Sequence, residues 1–279
     1  LNNFLSQLLI LILIYTSSQY FHGNLLILGL IFSVSPIVIF LLSSFFFFSV
    51  KAKIYLPSLS FIKPELFRNI FSLSLKFFII QINMLVLFQT SNFLIIRLYG
   101  PEEVVKYNVA FNFFSLINLA FSTISTPYWA AFIEAYTLRD FEWIKKSIMK
   151  LKKIWFVIVS VGLLVLILSD KVYYLWLHQN LDIPFSLSMG MYLFHTVFAF
   201  GYVYNTFINS TGKILVQVIS MTFFSILFIP LVIFFAKVLV LGIVSLPLAL
   251  LMVSLYTMFI APYQAKLIIA GKASGIFNR

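Results

Sequence analysis

The stretch FSLSLKFFIIQINMLVLFQTSNFLIIRL, Phe71 to Leu98, decides the class of fold. It is continuously apolar, whereas a strand of a membrane barrel would alternate over about ten residues. As a helix rising 1.5 Å per residue it exceeds the roughly 20 residues needed to cross about 30 Å of hydrocarbon. Its polar residues follow a pattern. Lys76, Asn83, Thr90 and Arg97 recur at every seventh position, which drifts only about 20° per step and so makes one stripe. Gln81, Gln89 and Asn92 form a second stripe nearly opposite. A helix with two polar faces belongs inside a bundle or between lobes, because polar groups in hydrocarbon turn toward protein or water.

Outward from this segment the same signal repeats. Apolar runs extend over Phe4 to Phe21, Leu25 to Val50, Tyr107 to Tyr136, Ile154 to Leu168, Pro184 to Asn209, Ile214 to Phe235 and Leu239 to Ala261. The fifth run in chain order, Ile154 to Leu168, is short and is expected to begin inside the basic segment before it. The chain therefore reads as all-α, a polytopic membrane bundle of about eight spans. Composition agrees: 62% of the 279 residues are hydrophobic, 10% are charged, and mean hydropathy is +1.06. A water-soluble domain cannot bury that much apolar surface.

The formal charge of +11 lies mainly in the connections. One alternate set holds Lys51, Lys53, Lys63 and Arg68, then Arg139, Lys145, Lys146, Lys150, Lys152 and Lys153, then Lys213, and finally Lys266, Lys272 and Arg279. The other holds only Arg97, Lys106, Lys171 and Lys237. This asymmetry marks the first set as cytoplasmic and signals topology rather than nucleic-acid binding. The expected division is residues 1–50 as two spans of an incomplete N-terminal lobe, 51–70 as a basic linker containing Pro57 and Pro64, 71–262 as a six-span lobe, and 263–279 as a cytoplasmic tail. Between Arg139 and Lys153, Phe141, Ile144, Ile148 and Leu151 repeat at helical spacing while the lysines lie mostly elsewhere. That pattern predicts an interfacial helix whose Lys145, Lys146, Lys150, Lys152 and Lys153 rest on anionic headgroups.

The remaining candidates for a binding site are intramembrane polar and aromatic groups. On the fourth run Asn108, Asn112, Ser115, Ser122 and Thr126 share a face before Pro127, followed by Tyr128 and Trp129, whose rings can stack on a sugar. His195 and Asn205 lie within the sixth run. Each of these groups also fits a second role, as hydrogen-bonding glue between helices, and Lys76 and Arg97 also fit as snorkelling ends.

Enzyme signatures are absent. Thr211-Gly212-Lys213 lacks the glycine spacing and following hydroxyl of a phosphate loop, there is no HExxH motif or nucleophile elbow, and no residue is cysteine. Nearly all of the eight acids, Glu65, Glu102, Glu103, Glu134, Asp140, Glu142, Asp170 and Asp182, fall in connections, which leaves no paired carboxylates for acid–base catalysis and no metal-ligand cluster.

The segments LKFFIIQ, LFQTSNFLI, YGPEEVVKYNVAF, TPYWAAFIEAY and DFEWIKK within Leu75 to Lys153, and INSTGKILVQ at Ile208 to Gln217, resemble the polysaccharide-transporter family that flips O-antigen repeat units, the Wzx-type flippases. That family sits in a superfamily with multidrug exporters and peptidoglycan-precursor flippases. The resemblance covers about Phe61 to Arg279. It implies a two-lobe transporter of about twelve spans of which this chain is the C-terminal two thirds, in keeping with a start at Leu1 rather than Met. It further implies export of an undecaprenyl-diphosphate-linked oligosaccharide across a bacterial inner membrane by alternating access. An H+ or Na+ gradient would drive it, no organic cofactor is needed, and a polysaccharide polymerase and chain-length regulator would be partners. Relatives often carry Asp where Ser91 stands and Lys where Asn112 stands. Their joint absence leads to the expectation that Asn92 and Asn112 bond the sugar while Lys76 and Arg97 attract the diphosphate. The competing functions are a multidrug or ion antiporter of the same superfamily and, further off, a membrane polysaccharide polymerase, which usually needs a substantial outer loop that the short connections do not supply.

Overall fold

The computed structural model describes residues 2–20, 25–52, 63–178 and 181–279. Among them every regular element is helical and there is no strand. Two compact units are present, Leu1–Phe67 and Arg68–Arg279. In the first, α1 (Asn2–Tyr20) packs against α2 (Leu25–Phe46), with Asn2 donating to Ser43 Oγ at 3.0 Å. A π-helical turn, Phe47–Lys51, follows α2. Phe21, at the end of the first predicted span, and residues 53–62 of the predicted linker, Lys53 and Pro57 included, lie outside the described residues.

The second unit carries α3 (Pro64–Tyr99), which enters it at Arg68, α4 (Pro101–Thr137), α5 (Phe141–Ile167), α6 (Ser169–Leu177), α7 (Phe185–Thr211), α8 (Leu215–Ile233), α9 (Ser245–Ser254) and α10 (Tyr256–Ile269). Five helical segments among the described residues are long and apolar enough to cross a membrane, or six if α5 and α6 count as one span bent by 79°. These are fewer than the predicted runs. α1 counts only as a shorter apolar helix over Asn2–Ser17, and α7 falls short because it is rich in Ser, Thr, Asn, Tyr and Gly. Those α7 residues are tolerated because the helix is surrounded by protein: it packs on α4, α5, α9 and α10 and buries residues around its circumference, from Leu187 to Ile208. Polar groups then meet other helices instead of lipid.

The turns have local causes. Gly100 takes φ +94 between α3 and α4, a region open to glycine, and Pro101 then starts α4 where its missing N–H costs nothing. Gly212 at φ +72 ends α7 in the left-handed conformation and reverses the chain into α8. Asp140 caps α5, its carboxylate accepting from Trp143 N at 3.0 Å.

Two expectations are corrected. The basic segment at Arg139 to Lys153 is not a separate interfacial helix. It forms the first turns of α5, which runs unbroken to Ile167 because no Gly or Pro interrupts it before Gly162. The predicted two-faced character remains: Ile144, Ile148 and Leu151 are buried, and Lys145, Lys146, Lys150, Lys152 and Lys153 are exposed. The last run does not stop at Ala261. It divides into α9 and α10, passes through Pro262 and ends at Ile269. The tail beyond turns back on the bundle, with Leu215 N donating to Arg279 O at 2.8 Å and Gln264 Nε2 to Phe277 O at 3.3 Å.

A cavity between the helices of the C-terminal unit

α3 keeps its distance from its neighbours. It reaches them mainly through side chains: Phe77 toward Trp129 of α4, Phe88 toward Phe194 and Phe198 of α7, Asn83 to Thr222 of α8, and Tyr99 to Ser245 at the start of α9. The space left behind is a cavity of about 890 Å³. This is ample for a small ligand.

Each wall is one face of a helix. α7 contributes Gly201, Tyr202, Asn205, Thr206 and Asn209, and α4 contributes Ser122, Ser125, Thr126 and Trp129. Both sets recur at three- and four-residue intervals, as one helical face requires. α3 supplies Gln81, Met84, Leu85, Phe88 and Gln89, α8 supplies Gln217 and Met221, and α10 supplies Tyr256 and Thr257. Gly201 keeps the wall low: a Cβ there would meet Asn205 Nδ2 and Thr257 Cβ at 3.4 Å.

No Asp, Glu, Lys, Arg or His is among the residues that line the cavity. Its hydroxyls are partly spoken for. Ser122 donates to Leu119 O, Ser125 and Thr126 to Ser122 O, and Thr206 to Tyr202 O. These oxygens therefore face the cavity as acceptors. The amides differ. Asn209 Oδ1 and Gln217 Oε1 are buried and have no hydrogen-bond partner among the described residues. An unpaired buried polar atom of this kind costs about 1–3 kcal/mol.

Of the residues predicted to bind substrate, Trp129 and Asn205 line the cavity. The others do not, and the reasons are geometric. Asn83 is used in packing, donating to Thr222 Oγ1 at 2.9 Å. It is the opposite stripe of α3, through Gln81 and Gln89, that faces the cavity. Thr90 and Asn92 are half-buried away from it, Asn92 with a buried Oδ1 that has no partner among the described residues. Asn108 and Asn112 sit on the first half of α4, off the cavity wall that Ser122 to Trp129 forms further along. His195 is 2% exposed, bonded to Asn118 and flanked by Phe111 and Phe194. It belongs to the α4–α7 contact.

Lys76 and Arg97 cannot share one diphosphate. They stand about 30 Å apart along α3 at 1.5 Å per residue. Lys76 adjoins Phe77 of the cavity wall, and Arg97 is exposed in the last turn of α3. Among the lining residues missed by the sequence reading are Thr206, Asn209 and Gln217, with Ser125, Tyr202, Tyr256 and Thr257 beside them. The signal was present: Asn209 lies one turn beyond Asn205 on the same face, and Gln217 closes the INSTGKILVQ segment.

No protein-family model and no curated protein matches the sequence. Solved structures do. The chain is 18% identical to a MATE transporter crystallised in the bent conformation, with a TM-score of 0.77 over 97% of this chain and 61% of that one. It is 18% identical, with a TM-score of 0.76, to an outward-facing multidrug resistance MATE family transporter of the MOP superfamily, over 98% and 61% of the two chains. A MATE in complex with MaL6 aligns at 17% identity and a TM-score of 0.77, over 96% and 62%. At this identity the likeness establishes architecture, and this chain spans about three fifths of the length of those transporters. The protein is therefore an all-α, multi-pass membrane fold of the MATE type.

Proposed function

We propose that the protein is part of a flippase that carries an undecaprenyl-diphosphate-linked oligosaccharide from the cytoplasmic to the periplasmic leaflet of a bacterial inner membrane. The MATE-type architecture supports a transporter rather than an enzyme, and the sequence resemblance supports the glycan substrate. The single observation that carries the choice is the polar part of the cavity lining: among Phe, Ile, Leu and Met side chains stand amides, hydroxyls, tyrosines and an indole, with no carboxylate among the described residues. A lipophilic cation in this cavity would find aromatic faces but no countercharge among the described lining residues. A glycan needs hydrogen bonds and an aromatic face, and both are present. The polyprenyl tail stays in lipid, and the diphosphate meets cations at the end of the unit where Lys76 and Lys213 lie, Lys213 Nζ being 5.4 Å from the Tyr136 ring centre. An H+ or Na+ gradient supplies the energy.

The second reading, a multidrug antiporter, is favoured by one finding, the fold shared with a multidrug resistance MATE transporter. Transport in proteoliposomes separates the two. The expected result is that a fluorescent polyprenyl-diphosphate disaccharide placed in the inner leaflet becomes accessible to an external reductant only when the protein is present. Ethidium uptake driven by an ion gradient, with no movement of the lipid-linked sugar, would overturn the proposal.

A further inference from the structure

The cavity is not uniform along its length. Ring contacts fix the levels: Phe77 of α3 stands beside Trp129 of α4, whereas Phe88, eleven residues further along α3, stands beside Phe194 and Phe198 of α7. The Phe88 end is aromatic and apolar. At the other end, toward the Gly212–Lys213 reversal, α7 presents Asn205 and Asn209 one turn apart, and α8 presents Gln217 just past the reversal. Two of the four buried amide oxygens without partners among the described residues are here, on Asn209 and Gln217.

The geometry points to a subsite at this end for one uncharged sugar residue, held by the amides of Asn205, Asn209 and Gln217 and stacked against the Trp129 indole. The inference rests on the glycan reading above and adds both a place and a class of sugar. Three properties select that class. The Thr206, Ser125 and Thr126 hydroxyls give their protons to their own helices, so the amide NH2 groups and the Trp129 indole N–H are the side-chain donors assigned to the subsite. A sugar hydroxyl or acetamido group, which both donates and accepts, satisfies such amides in either orientation. Second, no cation is among the described residues that line the cavity to neutralise a uronate, Lys76 and Lys213 lying beyond the lining at the end assigned to the diphosphate. Third, no carboxylate lines it to pair with an ammonium, so an amino sugar enters in its N-acetylated form. Trp129 is 39% exposed, which leaves ring surface on which a sugar face can lie.

The test is saturation-transfer NMR on the protein in lipid nanodiscs with three free probes: N,N′-diacetylchitobiose, glucuronate and tetraphenylphosphonium. The expected result is transfer to chitobiose alone, weakened about tenfold or more by Trp129→Ala and by the double change Asn209→Leu with Gln217→Leu, and unchanged by Trp176→Phe on the exposed face of α6. If the double variant loses its helical melting transition, the near-isosteric Gln217→Met takes its place with the same expectation. Glucuronate binding as well as chitobiose, binding of no probe, or chitobiose binding that ignores these substitutions would each overturn the subsite while leaving a glycan flippase standing. Binding of tetraphenylphosphonium alone would overturn both.

Discussion

His195 shows how a single polar residue can be read in two ways from sequence and in one from structure. An intramembrane histidine is a natural proton relay, yet this ring is enclosed by Phe111 and Phe194 and bonded to Asn118, off the cavity wall. Its work is to join α4 to α7. Asn118→Ala is therefore expected to destabilise the protein by about 1–3 kcal/mol, the usual cost of an orphaned buried group. A thermal melt in detergent checks this, and a substrate affinity equal to that of the parent is expected alongside. Trp129 has the opposite profile. Trp129→Ala is expected to leave the melt within about 1 kcal/mol of the parent, because the ring is partly exposed, and to weaken glycan transport about tenfold, with Trp129→Phe intermediate because a smaller stacking face remains. Their polar or aromatic character within apolar runs placed Trp129 and Asn205 among the candidates, but periodicity could not say which stripe of α3 meets the cavity. Both stripes are polar, and the choice is made by neighbours: Thr222 takes Asn83, which turns Gln81 and Gln89 the other way.

At the scale of elements, the helices follow the apolar runs closely, since a run in lipid has no other way to satisfy its backbone. What escaped the sequence are the breaks within runs. The bend of 79° between α5 and α6 falls at Leu168, where neither Gly nor Pro marks it. α9 passes to α10 at Leu255 with equal silence. Such breaks are set by tertiary packing, as where Tyr173 of α6 meets Ser188 of α7 at 2.9 Å. Close approaches of helices are also set by packing, and they yield predictions. A Cβ on Gly190 would come within 3.0 Å of Pro247 Cγ, where α7 meets α9. Gly190→Val is thus expected to lower stability by about 1–3 kcal/mol through overpacking, read from the same melt. Gly201 faces the cavity instead, and its Cβ direction is in ordinary reach of Asn205 and Thr257. Gly201→Leu is expected to fill the space and abolish transport of the lipid-linked sugar while the melt moves less than for Gly190→Val.

For the molecule as a whole, two properties of composition carry over directly into behaviour. The asymmetric placement of Lys and Arg predicts that Lys145 and Lys213 face the cytoplasm and Asp182 the periplasm. Because the chain has no cysteine, single cysteines introduced at those positions give a clean map with a membrane-impermeant maleimide: labelling of intact cells at 182 only is expected. The proposed glycan substrate rests on a cavity whose described lining holds amides, hydroxyls and aromatic rings and no acid. The most direct measurement of that claim is photocrosslinking in living membranes with a photoreactive phenylalanine analogue at position 129. The account predicts an adduct whose mass equals a polyprenyl-diphosphate oligosaccharide, formed at 129 and not at the control position 176. Adducts of equal yield at both positions, or none bearing sugar at 129, would contradict it.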